Sequence, residues 1–106
     1  MKVRTLYDLN AGLSDLLDKE IPAPVAYKVS RNHAKVTEEL TPVEEQRQKL
    51  AERKDTAKAD KEFGEILNED VKLDISKIKV DDLQGVDIKP RVFALLDEII
   101  EEDDNE

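Results

Sequence analysis

Apolar residues recur every seven positions along the middle of the chain, at Val29, Val36, Val43 and Leu50. Ala26, Leu40 and the polar His33 and Arg47 occupy the interleaved positions. Such spacing lays one narrow apolar seam along a helix and leaves its other faces to charge. A narrow seam has to lie against another helix, from this chain or from a second copy. A chain this short buries little of its own surface, so the seam Val29, Val36, Leu40, Val43 and Leu50 predicts a homo-oligomer.

The flanking patterns predict further elements. Thr5 and Asp8 resemble a capping box, and Leu6, Leu9, Leu13, Leu16 and Leu17 follow at helical spacing, weakened by Gly12. Ile21-Pro22-Ala23-Pro24 reads as a stiff connector, with Pro24 opening the seam helix. Thr41-Pro42-Val43-Glu44 is a good capping box inside that helix, yet the seven-residue phase runs through it unchanged. Two nearly collinear helices, or one kinked at Pro42, are expected. Residues 55–61 have no large apolar group and read as a loop or frayed turn, followed by a short amphipathic turn or helix with Phe63, Ile66 and Leu67 that ends near Asn68.

The period then changes from helical to alternating. Val71, Leu73 and Ile75 alternate with Lys72 and Asp74, and Ile78 and Val80 with Lys79, which predicts two short strands in a hairpin. Asp81 to Gly85 reads as a turn. Pro90 opens a last helix with Val92, Phe93, Leu95, Leu96, Ile99 and Ile100 inward. The fold class is α+β, predominantly helical: a helical hairpin or long kinked helix, a small two-stranded element and a C-terminal helix. Residues 1–100 form one small domain and 101–106 an acidic tail expected to be mobile.

Composition makes the core thin. Of the 106 residues, 41% are charged and only 4% aromatic, so Leu, Ile and Val must do most of the packing. No cysteine is present, which excludes disulfides and thiolate metal sites and predicts an intracellular setting. The apolar runs are too short for a membrane span, and Met1 to Thr5 lack the apolar core of a secretory signal. The net charge is −9. Residues 1–62 carry twelve acidic and twelve basic groups, so the whole excess lies in residues 63–106. Such a field repels nucleic acid and steers basic partners. Asp74, Asp81, Asp82 and Asp87 are the candidate acidic partner surface.

Little in the chain points to chemistry. His33 is the sole histidine, and a general base would need a nucleophile and an orienting acid beside it. A packed histidine on the seam fits better. The acids around Gly85 miss the spacing of a twelve-residue calcium loop. Lys28, Arg31 and Lys35 line one helix side but lack interleaved aromatics, so a solvated face is favoured over phosphate contact. Three isolated glycines cannot build a phosphate loop. The expectation is a protein that is not an enzyme, with no catalytic residue, metal or cofactor, no direct contact with nucleic acid or membrane, and a protein partner.

The order of segments resembles a family of small bacteriophage-encoded proteins of unknown function. Leu13 to Val29 lead into a charged helix with Glu-Glu-Gln-Arg-Gln-Lys-Leu (44–50). Glu-Phe-Gly-Glu-Ile-Leu (62–67), Val-Lys-Leu-Asp-Ile (71–75), Ile-Lys-Val-Asp-Asp-Leu (78–83) and Ile-Lys-Pro (88–90) follow. Pro42 departs from the family pattern, which suggests a continuous helix. The resemblance implies a role in the cytoplasm of an infected bacterial host, or in the virion, and transfers no functional residue. It frames two expectations. One is a virion assembly or chaperone-like protein. The other is an acidic inhibitor that mimics DNA toward a host nucleic-acid-binding or defence protein.

Overall fold

The computed structural model describes residues 1–101. Helix α1 spans Val3–Leu17, α2 Ala23–Ala51 and α3 Thr56–Leu67. A two-residue strand β1 (Ile78–Lys79), a 3-10 turn (Val80–Leu83), a short helix α4 (Pro90–Leu95) and a second strand β2 (Ile100–Glu101) follow. The fold is therefore predominantly helical α+β.

The apolar seam of α2 finds its partner within the chain. Leu6, Leu9, Leu13 and Leu16 of α1 are fully buried, as are Val29 and Val36, and Leu40 is nearly so. The two helices form an antiparallel hairpin: Tyr7 bonds Glu44 near one end and Ser14 meets His33 farther along. The leucine stripe of α1 matches the seam in length of burial, and a short connector closes the hairpin at low entropic cost. The upper seam residues Val29, Val36 and Leu40, expected to join two copies, are thus occupied by α1. Val43 packs against the edge of this core and, like Leu50 farther down the helix, stays half-buried.

Helix α2 runs through Pro42 without ending. The Thr41 hydroxyl, read as a cap for a new helix, instead donates 3.0 Å back to the Thr37 carbonyl. Helix α3 corrects the loop expected at 55–61. Ala and Lys are strong helix formers, and Ala59 is buried at 5% exposure. Asp55 stands at the helix start but gives its carboxylate to Arg53, which also bonds Glu62 at 2.9 Å.

The expected hairpin is absent as well. Residues 71–77 are extended and alternate half-buried with exposed as the pattern requires, but they form no regular strand. Ile78 and Lys79 pair in parallel with Ile100 and Glu101. A parallel pair needs a crossover, here supplied by the 3-10 turn and α4. Glu101 therefore belongs to a strand rather than to the tail, and the rest of the tail lies outside the described residues. Farther back, Lys2 bridges Asp70 antiparallel, with Val71 and Met1 exchanging backbone bonds of 2.8 and 3.1 Å. Helix α4 stops at Leu95, and Leu96 and Ile99 reach the core from the turn that follows.

Gly12 lets α4 approach α1. A Cβ at this position would stand 2.7 Å from Leu96 Cγ and Cδ2, and Leu96 is fully buried. Gly12→Ala gains about 1 kcal/mol of helix propensity but forces Leu96 out of its place. We expect a net loss of about 1–2 kcal/mol in urea unfolding. A variant more stable than the parent would show that the α1–α4 contact yields freely.

Candidate functional site

One polar row on α2 organises the C-terminal third. Lys28, Asn32 and Lys35 follow one another at helical spacing and hold residues 74–82, which run antiparallel to the helix. Lys28 Nζ lies 4.0 Å from Asp82 Oδ2. Asn32 donates through Nδ2 to the Ser76 carbonyl at 2.9 Å and accepts the Ser76 N–H at 3.0 Å. Lys35 donates to the Asp74 carbonyl and lies 4.0 Å from its carboxylate. Asn32 is the one buried polar residue among the described residues, at 1% exposure, and both ends of its amide are satisfied.

The basic stripe read as a solvated face is therefore largely spent inside the molecule. It also meets two of the four candidate acids. Asp74 and Asp82 sit beside lysines, while Asp81, approached by the Gln84 amide at 3.5 Å, and Asp87 are exposed. The four do not share one uniform setting.

His33 is half-buried where α1 meets α2, with Nε2 3.1 Å from Ser14 Oγ. Ser14 and His33 make one contact, and among the described residues no acid hydrogen-bonds the ring to orient it. Asp15 has one buried carboxylate oxygen without a hydrogen-bond partner. Among the described residues no group of three or more His, Cys, Asp or Glu is placed to hold a metal ion, and no helix is long and apolar enough to cross a membrane.

A second polar cluster ties α1 to the lower part of α2. Tyr7 donates its hydroxyl to Glu44 Oε1 at 2.6 Å, and Arg47 donates to Glu44 Oε2 at 3.0 and 2.8 Å. The Arg47 guanidinium, then Tyr7, hold the Glu44 carboxyl below its usual range. Burial, then the bond to Glu44, pushes the Tyr7 phenol up to about 12 from 10.0. The folded phenol thus keeps its proton where the unfolded one has lost it. That contribution is complete below pH 10.0 and disappears as pH rises to about 12. We expect Tyr7→Phe to flatten the alkaline fall in stability across this window. A slope equal to that of the parent would place the alkaline sensitivity elsewhere.

The exposed apolar surface gathers toward the α1–α2 turn. Tyr27 is 65% exposed, Leu17 42% and Val80 36%. Leu17, Ile21 and Ala26 line an open depression of about 490 Å³, and Tyr27 follows Ala26 directly. The Arg31 guanidinium sits 5.7 Å from the centre of the Tyr27 ring, one helical turn on. The seam pattern did not single out Tyr27. The signal was there, since Tyr27 falls outside the apolar register in a chain with only four aromatics. Comparison with protein-family models, with curated proteins and with solved structures gave no match.

Proposed function

We propose that this protein works without catalysis, by binding another protein through the surface at the α1–α2 turn. Tyr27 carries the reading. A tyrosine left 65% exposed in a chain so poor in aromatics costs solvation, and Arg31 holds its ring in place. Tyrosine and arginine are the residue types that dominate interface energy, and a ring already held loses less entropy on binding. Leu17 and Ile21 supply apolar surface in the depression lined by Ala26, the residue that precedes Tyr27. If the resemblance to phage proteins holds, the partner would be a virion component or a host protein, and the role one of assembly or chaperoning.

The test is photo-crosslinking in the cells that make the protein. A photoreactive residue in place of Tyr27 should give discrete adducts that the same group at the exposed Ala57 on α3 does not. With the partner in hand, Tyr27→Ala should weaken binding by about thirtyfold, the equivalent of about 2 kcal/mol. Adducts from both positions alike, or none from Tyr27, would overturn the proposal.

A further inference from the structure

Three helices converge on an open depression of about 280 Å³, lined by Arg4 and Tyr7 of α1, Arg47 of α2, and Phe63 and Leu67 of α3. Two of the chain's four aromatic residues stand in this one wall. Tyr7, Phe63 and Leu67 are each half-buried. Tyr7 and Leu67 pack against the main core, whereas Phe63 stands outside it. The charged lining is of one sign, since Arg4 and Arg47 are its two charged members. Arg47 turns Nε and Nη2 to Glu44 and keeps Nη1. Glu44 is itself engaged at both oxygens, by the Tyr7 hydroxyl and by Arg47. Arg4 donates at 3.0 Å to the neutral amide oxygen of Asn68 and forms no ion pair among the described residues. Its charge therefore has no counterion. Asp8 lies outside the lining, and Asp60 lines a smaller depression of about 160 Å³ that adjoins at Arg47 and Phe63. An anion is thus drawn to the end where Arg4 stands.

We propose that this depression binds a small aromatic carboxylate, its ring against Phe63, Tyr7 and Leu67 and its carboxylate on Arg4. The free Nη1 of Arg47 is the second donor. A guanidinium matches both halves of such a ligand. It holds a carboxylate through a fork of N–H groups, and its flat face stacks on an aromatic ring. Aromatic walls add ring-to-ring contact that an alkyl chain does not make. The volume fits as well. Sites for drug-sized ligands run from about 300 to 1,000 Å³, so this one suits a molecule of one or two fused rings. A second copy is a poor occupant, because it would set its own Arg4 and Arg47 against these two. The site lies on α1, α2 and α3 away from Tyr27 and does not rest on the protein-binding reading.

The probe is 2-naphthoate, titrated into the full chain and followed by amide NMR. Naphthalene-2-carboxamide keeps the ring without the charge, and octanoate keeps the charge without the ring. Naphthoate should shift the amides of Arg4, Phe63 and Leu67 in a saturable way and leave that of Tyr27 in place. The carboxamide should bind about tenfold more weakly, and octanoate more weakly than naphthoate. Arg4 is exposed, and glutamine there can still donate to Asn68. Arg4→Gln should therefore keep the melting temperature, weaken naphthoate by about tenfold and leave the carboxamide unchanged. Phe63→Leu should weaken naphthoate more than octanoate; if that variant unfolds, Arg4→Gln still decides. Tyr27→Ala should bind naphthoate as the parent does, so that failure here and failure of the Tyr27 surface can be told apart. Four results would overturn the proposal: no saturable shift, shifts that map to another surface, equal binding by the carboxamide or octanoate, or shifts of the same amides with protein concentration alone. The last would mean that a second copy fills the depression.

Discussion

Asn32→Ala is expected to cost about 2–3 kcal/mol of stability, with the damage centred on residues 71–78. The side chain is 1% exposed and makes two bonds to one residue, Ser76, forty-four positions away. Each such bond contributes about 0.5–1.5 kcal/mol net, and truncation adds a small cavity beside the fully buried Val29 and Val36 of the same helix. Ser76 is exposed, so water can reach its freed backbone groups, which sets the upper limit. Urea unfolding measures the total. Native-state exchange should show the stretch 71–78 opening without the α1–α2 hairpin. Asn32→Asp is the sharper companion, because it keeps the acceptor for the Ser76 N–H, loses the donor for the carbonyl and buries a charge. It should be worse than alanine at neutral pH and recover on acidification. A change in Asn32→Ala within about 0.5 kcal/mol would show that the clamp adds nothing beyond the apolar contacts around it.

Pro42→Ala should move stability the other way, upward by about 2 kcal/mol. Proline inside a helix costs about 3 kcal/mol against alanine, through the missing N–H and the ring's clash with the carbonyl four residues back, here Glu38. Part of that gain is returned, because alanine leaves the unfolded chain freer by about 0.4–1 kcal/mol. Pro42 is exposed, so the exchange disturbs no packing. The melting temperature should rise by several degrees. An unchanged value would mean that the backbone around Thr37–Thr41 has already relaxed to suit the ring.

The two substitutions mark the limits of what the sequence discloses. Helical periodicity identified the stripe of α2 and even its continuity through Pro42, because phase is a local property of spacing. It could not say whose helix would cover the stripe. Two leucine-rich faces in one chain satisfy each other as readily as two copies would, and the short connector decides for the hairpin. The second half of α3 was legible in Phe63, Ile66 and Leu67, but its first half escaped notice because the residue it buries is Ala59, too small to register as apolar pattern. The alternation at 71–75 correctly named which side chains turn inward. It was silent on pairing, since β1 meets β2 only after a crossover, and no local signal marks a parallel partner twenty-two residues on. Asn32 looked like part of a polar run. Its partner is a backbone, and backbone groups leave no trace in residue type. Of the candidate acids, Asp74 and Asp82 were legible as charges but not as neighbours of Lys35 and Lys28.

The two distant backbone pairings also set an order of events in time. Helices α1 and α2 meet across a short turn, so their contact closes a small loop and can form within the first steps of folding. The bridge of Lys2 to Asp70 closes a far larger loop, and the parallel pair at Ile78 and Ile100 must wait for α4 to settle against Gly12. Until then the hairpin carries its Gly12 face bare. During synthesis on the ribosome that face would stay uncovered until Leu96 and Ile99 had left the exit tunnel, and a chain arrested before that point would be a target for chaperones and proteases.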